Sequence, residues 1–514
     1  SVRDSQPRKQ PNIMLVVMDD MGFSDPGCYG GEIETPNLDA LAENGVRFTQ
    51  FYNTGRCWPT RSCILTGYYA PQICMDPPDR KQRYCPSWER LLPHYIRQRG
   101  YRSYHSGKWH VHNVREPEKT GKFDSSWGTD IEQGKHFFGA EGAKQFSSTA
   151  ITDHALDCLR DHQANHAGTP FFHYVCYTAP HFPVQAEQAD IEKYMDRYDE
   201  GWDVMRQRRW ERLREMGIVN CALSEREGDV QAPWYKPEYA ERYGPGEVDY
   251  AVPWDSLTPE QQRFQATKMA IHAAMVDRTD REIGRLLDQL RAMDVYEDTL
   301  VLFLSDNGAS AEIMIRAGGH DPAAPAGSEA THLCLGPGWS SCSNAPFRRH
   351  KIWVHEGGVA TPLIAHWPAG LKPYAGELRH DVGHCIDLLP TILDLAGMQP
   401  EQIPLPEGAP PLPGRSLAPT LTRDGSVERD FIYFHHSGNR ALRVGDWKIV
   451  SGSTHPHGKA EDSWALYDLS ADRCEMNNLA DQQPQRLEEM KTLWQQCETT
   501  YRRDAGQPPP ETID

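Results

Sequence analysis

Apolar runs recur along the chain, and each is followed by a cluster of polar residues. The runs at 13–18, 171–177 and 299–304 lack polar alternation, which predicts strands buried on both faces, and a shorter strand is predicted at 101–105. Such strands are typical of parallel sheets, whose carboxyl ends share one edge where ligands bind. We therefore expect the polar residues after these runs to lie together at that edge.

Helical patterns separate the runs. Thr35 and Pro36 predict the start of a helix that ends at Gly45, and apolar positions between 259 and 290 recur near helical spacing. The alternation predicts an α/β fold with a large, mostly parallel sheet sandwiched by helices. A charged, Trp-rich insertion at about 184–255 interrupts it, and we expect this insertion to shape a pocket beside the strand-end edge.

The C-terminal region follows another pattern. After the Pro-rich stretch 403–417, a hairpin is predicted to turn at Gly445 and Asp446, and a helix with one apolar face is predicted at about 483–501. These patterns predict a large domain of residues 1–420 and a small α+β subdomain of residues 421–514.

Composition excludes some classes of protein. The formal net charge of -18 argues against a general binder of nucleic acid or anionic membranes, so an anionic ligand would need a local cationic pocket. The run at 13–18 is too short to cross a bilayer, and no membrane span is expected. The polar start lacks an apolar signal region, so a signal peptide was either removed before this numbering begins or never existed. We expect a periplasmic or secreted protein after signal-peptide removal, with a cytoplasmic location as the alternative.

The 13 cysteines form no CxxC pairs of the zinc-ribbon type. Cys57 can be a buried thiol, half of a disulfide or a catalytic centre. Without it, an even number remains, which is compatible with disulfides in an exported protein but does not require them. The pairing and the oligomeric state stay open at this point.

Two acidic pairs follow predicted strands. Asp19 and Asp20 follow the first run, and Asp306 and Asn307 follow the run at 299–304. One pair alone is more often a turn or a helix cap. Two pairs at one edge indicate a cation, because adjacent carboxylates repel each other, and their hard oxygen atoms favour Ca²⁺ or Mg²⁺ over zinc.

Basic residues occur at comparable places. Arg61 lies one helical turn after Cys57. Lys108, His110 and His181 lie just past predicted strand ends, and Lys351 is a further cationic candidate. Each alone is more often a solvated surface group, whereas together they favour a shared anion site.

The motifs in this order resemble those of the type I sulfatases, in particular the bacterial arylsulfatase branch. The segment Cys57-Trp58-Pro59-Thr60-Arg61, followed by Leu65-Thr66-Gly67, resembles the C-x-P-x-R signature of that family. MDDMG, GKWH, APHFP, SDNG and KIWVHEGG match further motifs, and the resemblance extends from Pro11 to about Arg503. It implies an alkaline-phosphatase-like fold with an active site at the strand-end edge.

The resemblance also implies a modified nucleophile. In the family, a separate formylglycine-generating enzyme oxidises the motif cysteine, here Cys57, to Cα-formylglycine. One hydroxyl of its hydrate attacks the sulfur of a sulfate ester, and loss of the proton from the other hydroxyl then expels sulfate. The implied substrate is an aryl or carbohydrate sulfate, and the implied cofactor is Ca²⁺, with Mg²⁺ as the alternative.

The resemblance assigns roles residue by residue. The metal ligands are Asp19, Asp20, Asp306, Asn307 and the modified Cys57. Arg61 and His110 orient the hydrate, Lys108 and Lys351 bind the sulfuryl oxygens, and His181 protonates the leaving oxygen.

Two positions depart from the family pattern. Thr60 stands where Ser or Ala is commoner, and Ala360 stands where many members have Arg. The second departure raises the question of what contacts Glu356 in this chain.

Two other functions remain as alternatives. A phosphonate monoester or phosphodiester hydrolase of the same superfamily shares the metal site, since both substrates are tetrahedral oxyanions. A noncatalytic binder of sulfated glycans would usually have lost a metal or catalytic residue, and none is missing from the sequence.

Overall fold

The computed structural model describes most of the chain. The described ranges are 10–76, 86–112, 114–129, 136–139, 144–317, 319–422, 425–454 and 463–508. Within them, no helix has the length and apolar character that a membrane span requires.

Strands account for three sheets. In chain order they are β1 Asn12–Met18, β2 Val46–Tyr52, β3 Arg102–Gly107, β4 Ser125–Trp127, β5 Phe137–Phe138, β6 Gln145–Phe146, β7 Phe171–Cys176, β8 Thr299–Ser305, β9 Ala360–His366, β10 Leu378–His384, β11 Ile432–His436, β12 Asn439–Val444, β13 Trp447–Ser451 and β14 Ala465–Asp468. The large sheet has eight strands in the order β10-β2-β9-β8-β1-β7-β3-β4, and β5 pairs with β6.

Helices cover both faces of the large sheet. They are α1 Pro36–Glu43, α2 Cys57–Thr66, α3 Leu92–Ile96, α4 Ser147–His166, α5 Gln188–Glu192, α6 Gly201–Glu215, α7 Pro237–Tyr243, α8 Pro259–Ala292, α9 Gly336–Ser343, α10 Glu356–Val359, α11 Pro368–Leu371, α12 Leu388–Leu395, α13 Ala418–Thr422 and α14 Pro484–Asp504. Alternate residues of β1 pack into two separate cores, one with α8 and the other with α12. This confirms the predicted α/β sandwich.

One strand of the large sheet runs against the others. β9 pairs antiparallel with both β2 and β8, whereas the other pairings in this sheet are parallel. The chain stays at the carboxyl edge between β8 and β9, and α10 has only four residues. The connection of residues 306–359 thus leaves and re-enters the sheet at the same edge, and a strand that enters where its neighbour ended runs antiparallel to it.

The register of the central strands positions the site. β1 lies between β8 and β7, with Met18 opposite Ser305 and Val17 opposite Cys176. The three strands therefore end at the same level, and the polar residues that follow them come together there. The edge predicted from the sequence is present.

A second, antiparallel sheet of β11 to β14 and the helix α14 form the C-terminal part. The predicted hairpin is present between β12 and β13. Helix α14 buries Met490, Trp494, Cys497 and Tyr501, as its apolar spacing predicted. The domain boundary at 420/421 stays a prediction.

Buried charges join this C-terminal part to the large sheet. The carboxylate of Glu356 accepts hydrogen bonds from Lys448 Nζ at 2.9 Å and Arg473 Nε at 3.0 Å. The hydroxyl of Tyr52 donates to the same carboxylate. Two basic residues of the C-terminal part thus contact Glu356 in a chain where position 360 is Ala.

Candidate functional site

Cys57 begins helix α2 at the strand-end edge and is 1% exposed. Arg56 before it is extended, and the hydroxyl of Thr60 accepts a hydrogen bond from the Thr54 amide at 3.0 Å. Thr60 therefore holds the loop that leads into Cys57. Burial raises the pKa of the Cys57 thiol, against the opposing effect of Lys108, so the uncharged thiol is favoured.

Asp19 and Asp20 follow β1 with their side chains buried. Asp20 has a φ of 68°, a left-handed conformation that turns the chain sharply after the strand. Its carboxylate accepts from Asn307 Nδ2 at 2.7 Å and from Lys351 Nζ at 2.8 Å. Asp19 pairs with Lys108 Nζ. Each carboxylate of the pair thus has its own ammonium partner.

Asp306 follows β8 and is held by Arg61. The Nε and Nη2 atoms of Arg61 each lie 2.8 Å from Oδ2 of Asp306, and Nη1 donates to the carbonyl of Lys108 at 3.1 Å. Arg61 is fully buried. The arginine therefore links helix α2 to the ends of β8 and β3.

The donor atoms fit a divalent cation. One ligand atom each of Asp19, Cys57 and Asp306 lies within 4.8 Å of the others, and Asp19, Asp20 and His181 form a second such group. Within the described part of the chain, Oδ1 of Asp19 and Oδ1 of Asn307 are buried without a hydrogen-bond donor. Buried oxygen acceptors that lack a donor are suited to a hard cation such as Ca²⁺ or Mg²⁺.

The electrostatics agree with this fit. Burial raises the pKa of Asp20, and burial together with the charge of Asp19 raises that of Asp306 to about 7. Burial acts in the same direction on Asp19, but the charges of Lys108, Arg61 and Lys351 together outweigh it, and the pKa of Asp19 is lowered. A cation among these carboxylates would relieve the repulsion that disfavours their charged forms.

His181 lies at the end of β7 with Nε2 3.8 Å from Oδ2 of Asp20. Its Nδ1 lies 2.5 Å from the carbonyl oxygen of Phe182. Because a carbonyl only accepts, Nδ1 carries a proton, and Nε2 in the neutral ring is an acceptor. Burial and the charge of Lys351 hold the pKa of His181 well below its usual value.

His110 lies beside Trp58, the residue after Cys57, and has a φ of 54°. Its ring centroid is 5.7 Å from that of Trp58 and 4.9 Å from that of His112. Burial and the charge of Lys108 hold its pKa well below the usual value. His110 is thus a neutral ring that can accept a proton.

The ten residues predicted from the sequence lie in or beside this cluster. Sequence reasoning missed Glu312, a buried carboxylate on the same side as Lys351. It accepts from Trp234 Nε1 at 2.8 Å and lies 3.2 Å from both Arg56 and Lys351. The sequence does not distinguish Glu312 from a surface carboxylate, because Arg56, Trp234 and Lys351 lie 256, 78 and 39 residues away along the chain.

The charges of the cluster nearly balance. Four carboxylates, Asp19, Asp20, Asp306 and Glu312, face four basic side chains, Arg56, Arg61, Lys108 and Lys351. A divalent cation would therefore give the cluster a net positive charge. The arrangement can then bind a small anion such as a sulfate group despite the negative charge of the whole chain.

Comparisons with known proteins agree with this chemistry. The family model described as Sulfatase matches residues 11–398, and the model described as N-sulphoglucosamine sulphohydrolase, C-terminal, matches residues 348–503. A protein of Schizosaccharomyces pombe described as an uncharacterized sulfatase is 30% identical, with 95% of this chain and 93% of the relative covered. The arylsulfatase of Klebsiella aerogenes is 27% identical, with 80% and 92% covered.

A solved structure supports the fold. Ps i-CgsB, crystallised in complex with k-i-k-neocarrahexaose, superposes with a TM-score of 0.64 at 21% identity, and 98% of this chain and 96% of that chain are covered. The family model covers more than half of this chain, and its motifs meet at one buried, metal-compatible edge. The chain belongs to the sulfatase family of sulfuric ester hydrolases.

Proposed function

We propose that this protein hydrolyses a sulfate monoester at the edge formed by β1, β7 and β8, and that Cys57 is converted to Cα-formylglycine to do so. The supporting observation is that the Cys57 sulfur lies within 4.8 Å of carboxylate oxygens of Asp19 and Asp306. A residue at the start of a helix, beside a cation site and two lysines, is suited to attack a bound anion.

The unmodified thiol is a poor nucleophile in this environment. Reactive cysteines have a lowered thiol pKa, whereas burial raises that of Cys57. Neighbouring Asp19 and Asp306 act in the same direction. The aldehyde hydrate of formylglycine, with a Ca²⁺ or Mg²⁺ ion, would supply a hydroxyl nucleophile of lowered pKa and a Lewis acid for the sulfate oxygens.

The metal ligands are taken to be Asp19, Asp20, Asp306, Asn307 and the modified residue 57. Their side-chain oxygens are hard donors, so we propose Ca²⁺, with Mg²⁺ as the alternative. Two nitrogen atoms of Arg61 contact Oδ2 of Asp306, which fixes the direction in which this carboxylate points.

Lys108 and Lys351 bind the sulfate group. In the present structure their ammonium groups contact Asp19 and Asp20, so each reaches the centre of the cluster. Charge that develops on the sulfuryl oxygens would be stabilised by these two groups from opposite sides of the acidic pair. Glu312, which is paired with Arg56, lies 3.2 Å from Lys351 and helps to position it.

His181 and His110 carry the proton transfers. Nδ1 of His181 is already engaged with a carbonyl, so Nε2 must gain a proton before it can protonate a leaving oxygen. A bound sulfate ester is anionic and would raise the pKa of His181. Neutral His110, whose ring contacts Trp58 next to residue 57, is proposed to accept a proton from the hydrate.

The alcohol part of the substrate is proposed to be aromatic or a sugar. Among the relatives, one is named an arylsulfatase, and one structure was solved with a neocarrahexaose. Trp234, which contacts Glu312, is 43% exposed, and Trp58 beside Cys57 is partly exposed. Two indole rings at the rim suit the flat face of either kind of group.

The first experiment is mass spectrometry of the tryptic peptide 57–61, made from protein coexpressed with a formylglycine-generating enzyme. Replacement of the sulfur by an aldehyde oxygen is expected. The same preparation should hydrolyse an aryl sulfate, whereas Cys57→Ala should not, and Cys63→Ala in the same helix serves as the matched control that retains activity. Activity of fully unmodified protein equal to that of modified protein would contradict the proposal.

The second experiment separates sulfate from phosphorus esters. Initial rates are compared for matched 4-nitrophenyl esters of sulfate, phosphate, a phosphodiester and a phosphonate. A preference for the sulfate supports the proposal, and a large preference for a phosphorus ester would favour the phosphonate monoester or phosphodiester hydrolase. Binding of a sulfated glycan by fully modified protein without any hydrolysis would favour the noncatalytic binder.

We also propose a periplasmic or secreted location. The support is the sulfate-ester chemistry of the family and a set of cysteines compatible with an oxidising compartment. Fractionation of native cells with an antibody to this protein tests the location, and recovery in the cytoplasm alone would refute it.

A further inference from the structure

Two cysteines from distant parts of the chain meet in the interior. The sulfur atoms of Cys221 and Cys474 lie 3.1 Å apart, although 253 residues separate them in the sequence. Cys221 belongs to the insertion and is 3% exposed, and Cys474 follows β14 and is 1% exposed. The two atoms are in direct contact and shielded from solvent.

Other contacts hold both backbones in place. The carbonyl of Cys221 accepts from Trp210 Nε1 at 2.9 Å. On the other side, Arg473 and Glu475, the neighbours of Cys474, bind the Glu356 carboxylate at 3.0 Å and the Glu356 amide at 2.9 Å. Because these contacts do not involve sulfur, the pair is brought together by the fold rather than by its own attraction.

We propose that Cys221 and Cys474 form a disulfide that fastens the insertion to the C-terminal part. A disulfide has a sulfur-sulfur distance of about 2.05 Å, so bond formation requires the sulfur atoms to approach by only about 1 Å. Once the fold has brought the two residues together, the hydrogen bond from Cys474 lowers the pKa of the Cys221 thiol, which makes Cys221 the attacking sulfur.

The reaction is a thiol-disulfide exchange with a small-molecule disulfide such as oxidised glutathione. The Cys221 thiolate attacks one sulfur of the oxidant, forms a mixed disulfide and expels one glutathione thiolate. The Cys474 sulfur, after loss of its proton, then attacks the Cys221 sulfur and expels the second glutathione. Two protein thiols are oxidised and one disulfide is reduced to two thiols, and burial requires this to occur before folding is complete.

The disulfide would stabilise the buried ion pairs that Glu356 makes with Lys448 and Arg473. Cys474 lies between the two residues that contact Glu356, and Glu356 begins helix α10, five residues after Lys351. A covalent link across 253 residues restricts the unfolded chain and disfavours release of this segment. This inference does not depend on the proposed function.

The test uses full-length protein refolded in a glutathione redox buffer, denatured in N-ethylmaleimide and digested with trypsin without reductant. Mass spectrometry should detect peptide 215–226 linked to peptide 474–486, and dithiothreitol should abolish this species. The thermal midpoint of the wild type should fall by at least about 2 °C on reduction. The double variant Cys221→Ser/Cys474→Ser should show no such fall, while Cys334→Ser, which removes another buried thiol, should behave as the wild type.

Two results would overturn the inference. One is N-ethylmaleimide on both Cys221 and Cys474 in protein that has folded in the oxidising buffer. The other is an equal fall of the thermal midpoint on reduction in the wild type and in the double variant. The first measurement needs no variant, so a variant that fails to fold does not affect the decision.

Discussion

Lys448 offers a quantitative test of the ion network that joins the two parts of the protein. Its ammonium lies 2.9 Å from Glu356 and 2.8 Å from Glu475, and all three side chains are fully buried. The substitution Lys448→Met keeps the length of the side chain but removes the charge. Glu356 then keeps its contact with Arg473, whereas Glu475 loses its ammonium partner.

The magnitude follows from these contacts. Removal of one partner from a buried ion pair costs about 3–5 kcal/mol, because an uncompensated charge is left inside the protein. Lys448→Met is therefore expected to lower the free energy of unfolding by about this amount. The matched control is Lys491→Met, whose surface pair with Glu488 should contribute at most about 0.5 kcal/mol.

The assay is equilibrium urea unfolding followed by tryptophan fluorescence, at pH 7 and at lower pH. The positive charges of Lys448 and Arg473 outweigh burial and lower the pKa of Glu356 below its usual value, so the stability that Glu356 contributes is present at neutral pH and lost on acidification. Burial raises the pKa of Glu475, so its charged form destabilises the folded protein. Loss of Lys448 increases this destabilisation, and protonation of Glu475 on acidification relieves it.

Both effects should shrink the difference between wild type and Lys448→Met on acidification, the Glu475 effect from a pH above about 4.5 and the Glu356 effect between about 4.5 and about 2. A difference that stays constant with pH would show that lost packing, not charge, destabilises the variant. A loss below about 1 kcal/mol at pH 7 would refute the assignment of Lys448 as a buried charge partner.

Four further predictions concern the site. Arg61→Lys cannot keep both nitrogen contacts with Asp306, so kcat/KM for an aryl sulfate should fall about a hundredfold, with one charge-assisted hydrogen bond and one further ion-pair contact at stake; an unchanged value would contradict the role of Arg61. Glu312→Gln should raise KM about tenfold with a smaller change in kcat, because the position of Lys351 is less defined; steady-state kinetics decide this, and a loss confined to kcat would argue against it. His181→Ala should slow an alkyl sulfate at least about tenfold more than 4-nitrophenyl sulfate, whose leaving group needs no proton; equal losses would exclude a general acid. Chelation by EDTA should abolish activity and lower the thermal midpoint, with Ca²⁺ restoring both; an unchanged midpoint would speak against a bound cation.

Much of the fold was predictable from local patterns. The runs at 13–18, 171–177 and 299–304 became β1, β7 and β8, because only strands covered on both faces carry such unbroken apolar sequence. The helix predicted at 259–290 is α8, with a hydroxyl cap at Thr258. Some helix ends differ from the prediction by a few residues. Helix α14 continues to Asp504 rather than ending at about 501, because its final turn contains no residue that stops a helix.

Other features depended on contacts between distant segments. The antiparallel direction of β9 follows from the return of residues 306–359 to the edge where β8 ends, and no property of the strand itself encodes that direction. In the sequence, Glu312 and Lys448 cannot be distinguished from charged residues on the surface. Their burial became visible only when partners from other segments were placed around them.

The sequence by itself determined the family, the strand-end positions of the acidic pairs and the set of basic and imidazole side chains, since each depends on residue type and local spacing. The tertiary structure decided how these groups face one another. It pairs Arg61 with Asp306, directs Nδ1 of His181 to a carbonyl, and brings Cys221 against Cys474. Distances, burial and pKa shifts arise from folding, because they depend on which distant segments exclude water from the same small volume.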